Sequence, residues 1–137
     1  MSRTVLAQAV RPVVESLETR TLLTATLRGT VLDIRGTAAD DVISMLRNPV
    51  DTTQVIVTVN GVDSTPFDLG RITRVNVTML AGNDSFTADE TNGFFSTPIS
   101  VNGGDGNDTI TSGAANDTLR GGNGNDVITT LYGNNQI

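Results

Sequence analysis

The chain has 137 residues, enough for one domain, with 14 glycines, no tryptophan and an aromatic content of 4%. It contains no cysteine and no histidine, which excludes disulfides, thiol nucleophiles and imidazole chemistry and leaves an all-oxygen cation site as the default metal site. Residues 1–79 are neutral overall, so residues 80–137 carry the whole net charge of −6, which disfavours binding to nucleic acid or to anionic membranes.

The first 25 residues form a segment that we predict to be weakly structured, and they lack the apolar run of a secretory signal. Within this segment, LETRTLL at 17–23 resembles the Leu-Glu-Pro-Arg-x-Leu-Leu motif near the N-terminus of very large surface or exported proteins of planctomycete-type bacteria, with Thr19 in place of the proline. The resemblance implies a role in sorting. A short amphipathic helix or a frayed end is the alternative.

From Leu27 onward, extended segments alternate with turns, and no window shows a helical apolar period. Asn60-Gly61 is a strong turn signal, and Pro66 and Pro98 mark loops. Five segments rich in Val, Ile and Thr alternate with the period of a strand. The sequence therefore predicts an all-β chain, with strands at Val31–Ile34, Val42–Leu46, Gln54–Val59, Arg74–Met79 and Ile99–Val101.

A nine-residue unit repeats in tandem at 103–111, 112–120 and 121–129, and a shortened copy follows at 130–137. Each copy joins a turn rich in Gly, Asn and Asp to a short run that ends in an aliphatic side chain. A flexible linker would not keep that side chain at a fixed interval, so the pattern favours stacked coils in which it anchors each turn. The aliphatic residues are Ile110, Leu119, Ile128 and Ile137.

The same frame recurs upstream with identical internal spacing, which makes Asp41, Asp84, Asp108 and Asp126 equivalent. These aspartates are separated by 43, 24 and 18 residues. If one coil takes about 18–24 residues, the longest interval holds two coils, and the aspartates stack along one edge of a single solenoid. Chance alternation in a chain rich in Thr and Val is the alternative.

The nonapeptides resemble the hemolysin-type (RTX) calcium-binding repeats, whose consensus is G-G-x-G-x-D-x-U-x. Calcium takes about 6–8 oxygen ligands, and a Gly-rich turn can direct several carbonyl groups inward. The resemblance implies a parallel β-roll or β-helix solenoid, with calcium between turns 18 residues apart, so that turn 103–108 stacks on turn 121–126. The candidate calcium ligands are Gly103, Gly104, Asp105, Gly106, Asp108, Gly121, Gly122, Asn123, Gly124 and Asp126, with Asp117 on the opposite edge.

The other turns depart from the consensus. Turn 112–117 has Ser112 and Ala115 where the family has glycine, its neighbour 130–135 has a neutral Asn135, and 94–99 has no aspartate. A second ion on that edge would be held loosely. The upstream turns, GTAADD and MLAGND, each keep one glycine and the aspartate, and we expect them to be structural turns.

These observations divide the chain into a leader (1–25), looser β-solenoid coils (26–98) and calcium-binding repeats (99–137). The predicted function is a calcium-binding module of a secreted or cell-surface bacterial protein, whose folding is stabilised by calcium because the acidic segment 80–137 is expected to stay disordered without it. The alternatives are a structural or adhesive spacer and an accessory segment of a secreted hydrolase. The chain lacks a catalytic constellation, so we predict that it is not an enzyme.

The predicted partners are calcium ions and other cell-surface components, without nucleic acid and without a membrane span. The chain ends inside a repeat, which leaves a sheet edge open. Three expectations follow from that edge: the chain is a fragment, it associates end to end, or its last coil frays.

Overall fold

The computed structural model describes residues 25–137. The segment 17–23 lies outside the described residues, and its role in sorting stays a prediction. Within the described part, the single helix is a short 3-10 turn at Leu69–Arg71, and no helix there is long and apolar enough to cross a membrane. The all-β prediction is confirmed. The strands are β1 (Thr26–Arg28), β2 (Val31–Arg35), β3 (Val42–Arg47), β4 (Gln54–Val59), β5 (Val62–Asp63), β6 (Phe67–Asp68), β7 (Arg74–Thr78), β8 (Ser85–Asp89), β9 (Ile99–Asp105), β10 (Thr109–Thr111), β11 (Thr118–Asn123) and β12 (Val127–Thr129).

The strands form two sheets. One has the order β1-β2-β7-β9-β11 and the other the order β12-β10-β8-β3-β4-β5, with β6 also paired to β4. The strands β2, β7, β9 and β11 pair in parallel, as do β3, β8, β10 and β12, whereas β1 and β4–β6 pair antiparallel. Both sheets are therefore mixed and open. The arrangement is consistent with a β-roll.

A strand of the first sheet, a turn and a strand of the second sheet make one unit. Four units follow one another: β2–β3, β7–β8, β9–β10 and β11–β12. Leu32 pairs with Val75, Val75 pairs with Ile99, and Val101 pairs with Leu119. These pairs reproduce the intervals of 43, 24 and 18 residues, so the common frame predicted for the upstream copies is confirmed.

The 43-residue interval between Asp41 and Asp84 holds one unit, and the expectation of two coils there is wrong. Strand β2 pairs directly with β7, and β3 pairs directly with β8. Residues 48–73 make an excursion in which β4 lies antiparallel to β3 and turns back at Asn60-Gly61. Both turn residues have positive φ, +50° and +80°, as a two-residue type I′ hairpin requires. Interval length alone does not distinguish an extra coil from a hairpin.

One hydrophobic cluster joins the inward side chains of both sheets, and Phe86 and Phe95 are its largest members. Burial alternates along the strands, as in β4 and β8, because successive side chains point to opposite faces. Small aliphatic side chains fill most of the space, which explains the low aromatic content. The fully enclosed aliphatic residues include Leu32, Ile34, Ile43, Met45, Val55, Val57, Met79, Ile99, Ile110 and Leu119.

Candidate functional site

The turns that connect the two strands of each unit lie above one another. We call this stack the first edge; it consists of 36–41, 79–84, 103–108 and 121–126. Gly104 aligns with Gly122, and the backbone N–H of Gly106 donates to the carbonyl of Asn123 at 2.9 Å. The predicted stacking of 103–108 on 121–126 is therefore present in the structure.

The aspartates of the first edge are linked by backbone hydrogen bonds. The N–H of Asp41 donates to Asp84 Oδ1 at 2.7 Å, the N–H of Asp84 donates to Asp108 Oδ1 at 2.9 Å, and the N–H of Asp108 donates to Asp126 Oδ1 at 2.9 Å. One oxygen of each of the last three carboxylates thus accepts a hydrogen bond from the backbone of the preceding unit. The predicted alignment of the four aspartates is confirmed.

The residue before each aspartate makes a hydrogen bond in the opposite direction, because its side chain accepts from a backbone N–H of the following unit. The N–H of Asn107 donates to Asn83 Oδ1 at 2.9 Å, and the N–H of Asn125 donates to Asn107 Oδ1 at 2.8 Å. At the top of the stack, Asp40 Oδ1 accepts from the N–H of Asn83. The Asn-Asp pair of the repeat therefore links each turn to its neighbours in both directions, independently of any ion.

The three glycines of turn 103–108 are needed for different reasons. Gly104 and Gly106 have φ of +102° and +126°, and a Cβ on either would overlap a carbonyl oxygen of turn 79–84. Gly103 has no such φ, but a Cβ there would overlap Asp108 Oδ2 and the carbonyl oxygen of Gly121. Glycine thus permits the close stacking of turns and keeps the space in front of the carboxylate open.

Turn 36–41 is closed by protein groups. Asp41 Oδ2 accepts from the Thr37 N–H at 2.6 Å, and Asp41 Oδ1 accepts from Asn60 Nδ2 at 2.7 Å. Within residues 25–137 no turn of this edge lies above it, so Thr37 and Ala39 can replace the glycines at the second and fourth positions. These contacts favour a structural role for this turn.

Three other aspartates each keep one buried oxygen without a protein donor. These atoms are Oδ2 of Asp84, Asp108 and Asp117, and each residue is at most 2% exposed. Burial raises the pKa of all three carboxyl groups, that of Asp84 to about 6 with added repulsion from Asp108 and Asp41. A buried carboxylate oxygen is costly unless a proton or a cation satisfies it.

Turn 103–108 fits a hard cation. Asp108 Oδ2 and the carbonyl oxygen of Gly121 both face the space beside Gly103. Within the described residues, no group of three or more carboxylates lies close enough to hold a metal by side chains alone. Backbone carbonyls would therefore supply most ligands, which suits calcium better than magnesium because calcium accepts irregular oxygen shells.

The structure separates the predicted site residues into two places. Those of 103–108 and 121–126 lie together; Asn123 Nδ2 donates to Asp105 Oδ1 at 2.8 Å on the exposed side of the turns. Asp117 lies on a second edge, formed by 94–99, 112–117 and 130–135, where its Oδ1 accepts from the Ile99 N–H at 2.9 Å. Sequence reasoning missed the unpartnered oxygen of Asp84, because the Met79-Leu80 pair of that turn departs from the consensus.

Without calcium, the protein is expected to lose stability as the pH rises from about 4 to about 6. In this range the folded state keeps a proton on Asp84 that the unfolded state, with a pKa of 3.8, has released. Raising the pH therefore favours unfolding, by at most about 1.4 kcal/mol per pH unit for one group. Below about pH 4 both states are protonated and the effect ends.

Urea denaturation in the presence of a chelator, followed across this pH range, measures the effect. Asp84→Asn is the matched variant, because it removes the titrating group and keeps an acceptor for the N–H of Asp41. Its stability is expected to fall less steeply with pH than that of the parent. An equal slope in both proteins would show that Asp84 does not carry the effect.

Residues 100–137 match the family model of the RTX calcium-binding nonapeptide repeat in four copies. This confirms the resemblance drawn from the nonapeptides, and repeats of this family bind calcium. The match includes turns 103–108 and 121–126 and excludes the two upstream turns. No curated protein and no solved structure matches the chain.

Proposed function

We propose that the C-terminal repeats form a calcium-binding β-roll module whose main site lies between turns 103–108 and 121–126. One observation carries the proposal: Asp108 Oδ2 is buried, has no protein donor and shares the space beside Gly103 with the carbonyl oxygen of Gly121. The matching family of calcium-binding repeats supports calcium as the ion.

The ligands would come from both turns. Asp108 and Asp126 supply the charge, and the turn carbonyls supply the remaining oxygens, with Asp117 assigned to the second edge. Calcium held there would supply positive charge against the stacked carboxylates, with oxygens of both turns as its ligands. The other residues of this site are Gly103, Gly104, Asp105, Gly106, Gly121, Gly122, Asn123 and Gly124.

Calcium would also stabilise the fold. The segment 80–137 carries the net charge of −6, and the backbone bonds of the first edge hold Asp84, Asp108 and Asp126 close to one another. A cation that binds only the folded turns removes this repulsion and adds its binding free energy to folding. Extracellular calcium modules bind at about 10⁻⁴–10⁻³ M, so this affinity class suits a secreted or cell-surface protein.

Calcium titration of the full chain tests the proposal. We expect β-sheet circular dichroism and the melting temperature to increase over the low millimolar range, with a stabilisation of about 1–2 kcal/mol at several millimolar calcium for a Kd of about 10⁻⁴–10⁻³ M. Magnesium at equal concentration is the control and should act far more weakly, because it requires a smaller, octahedral oxygen shell. No change in spectrum or melting at several millimolar calcium would contradict the proposal.

A further inference from the structure

Glu90 reaches the second edge from the loop that follows β8. Its Oε1 accepts from the N–H of Phe95 at 2.9 Å and from the N–H of Ala114 at 2.8 Å. A Cβ on Gly113 would lie 2.5 Å from that oxygen, so a glycine is needed for the carboxylate to approach turn 112–117. Glu90 is thereby fixed against a turn from which it is separated by more than twenty residues.

Three buried oxygens in this place have no protein hydrogen-bond partner. They are Glu90 Oε2, Ser112 Oγ and Asp117 Oδ2. Ser112 is fully buried and Asp117 is 1% exposed. Burial raises the pKa of Asp117, the hydrogen bond from the Ile99 N–H and the neighbouring Ser112 hydroxyl lower it, and the charge of Glu90 raises it by a smaller amount. All three side chains lie on or against turn 112–117.

No positive side chain among the described residues neutralises this pair. The one ion pair of residues 25–137 joins Arg28 to Asp33. The guanidinium of Arg47 lies near the same loop, but it donates to the carbonyls of Thr52 and Phe94. Two carboxylates with buried, unpartnered oxygens and no counter-charge are costly, and a hard divalent cation that takes oxygen ligands would offset that cost.

We propose that Glu90, Ser112 and Asp117 form a second calcium site, in which Glu90 supplies the carboxylate that turn 94–99 lacks. Glu90 lies outside the matched residues 100–137, and Ser112 occupies a position where the consensus has glycine. The site therefore goes beyond the main site and shares no ligand with it. Two carboxylates would hold an ion on this edge more firmly than the turns alone are expected to.

The test uses a double variant, Asp108→Asn with Asp126→Asn, which removes the charged ligands of the first edge. Calorimetric titration with calcium should still detect one bound ion. Adding Glu90→Gln should weaken this binding by more than about tenfold, because affinity follows the number of charged ligands. The glutamine keeps an acceptor for the N–H groups of Phe95 and Ala114, so melting without calcium should not fall.

Asp89→Asn in the same background is the matched control, since it removes an equal charge from the preceding residue, whose carboxylate accepts from Thr91. Its calcium affinity should equal that of the double variant. The second site is contradicted if the double variant binds no ion, or if Glu90→Gln binds calcium as tightly as its parent. If the double variant does not fold, Glu90→Gln in the unaltered chain decides: the stoichiometry must fall by one.

Discussion

Gly122→Ala is expected to destabilise the repeats by about 3 kcal/mol or more, from backbone strain together with steric overlap. Gly122 has φ of +107°, which L-residues rarely adopt. Its added Cβ would also overlap the carbonyl oxygen of Gly104 in the unit above. Neither turn can move away without breaking the pairing of Leu119 with Val101 and of Asn123 with Asp105. Denaturation in saturating calcium, followed by circular dichroism, measures the loss.

Gly29→Ala is the control without steric overlap, at a φ in the ordinary left-handed region. Gly29 also has positive φ, +62°, but nothing lies within 4 Å of a Cβ placed there. Its replacement should cost only about 1 kcal/mol, the price of a left-handed conformation. If both variants lose the same free energy, the close stacking of turns does not determine the glycine at the second consensus position.

Most of the architecture could be predicted from local pattern. The strand segments Gln54–Val59 and Val31–Ile34 were evident because alternation of apolar and polar side chains has the period of a strand. The stacking of Asp41, Asp84 and Asp108 followed from identical spacing within the frame. The excursion at 48–73 was not predictable from intervals, since a hairpin and a coil consume similar lengths of chain.

The candidate site was only partly predictable. The consensus identified turns 103–108 and 121–126, because the glycines and the aspartate have separate steric and electrostatic tasks there. Whether a given carboxylate oxygen is satisfied depends on donors far away in sequence. Asn60 contacts Asp41, and Glu90 reaches turn 112–117, through the tertiary fold. No spacing rule indicates either contact.

Asn135 shows how the ligand role of an aspartate can be separated from its structural role. It occupies the acidic position of turn 130–135, and its Oδ1 accepts from the N–H of Asp117 at 2.9 Å. A neutral amide therefore keeps the hydrogen bond between units without supplying charge. Asparagine at positions 108 and 126 should likewise preserve the contacts to the N–H groups of Asp84 and Asp108, which now depend on Oδ1.

The double variant Asp108→Asn with Asp126→Asn is therefore expected to fold without calcium at least as stably as the parent, because it removes two charges from a stack of carboxylates that repel one another. The part of the calcium response that belongs to the first edge should disappear, a loss of about 1–2 kcal/mol at several millimolar calcium for a Kd of about 10⁻⁴–10⁻³ M. Melting curves with chelator and with several millimolar calcium give both quantities from the same two proteins.

The control for this variant is Asp40→Asn with Asp63→Asn, which removes the same net charge from two exposed positions outside the main site. Asp40 accepts from the N–H of Asn83, and Asp63 accepts from the hydroxyl of Thr58, so both substitutions also retain an acceptor. If general repulsion governs the response, both double variants should lose calcium stabilisation equally. If turns 103–108 and 121–126 bind the ion, only the first variant loses it. A full response in the variant at positions 108 and 126 would place the bound calcium elsewhere in the chain.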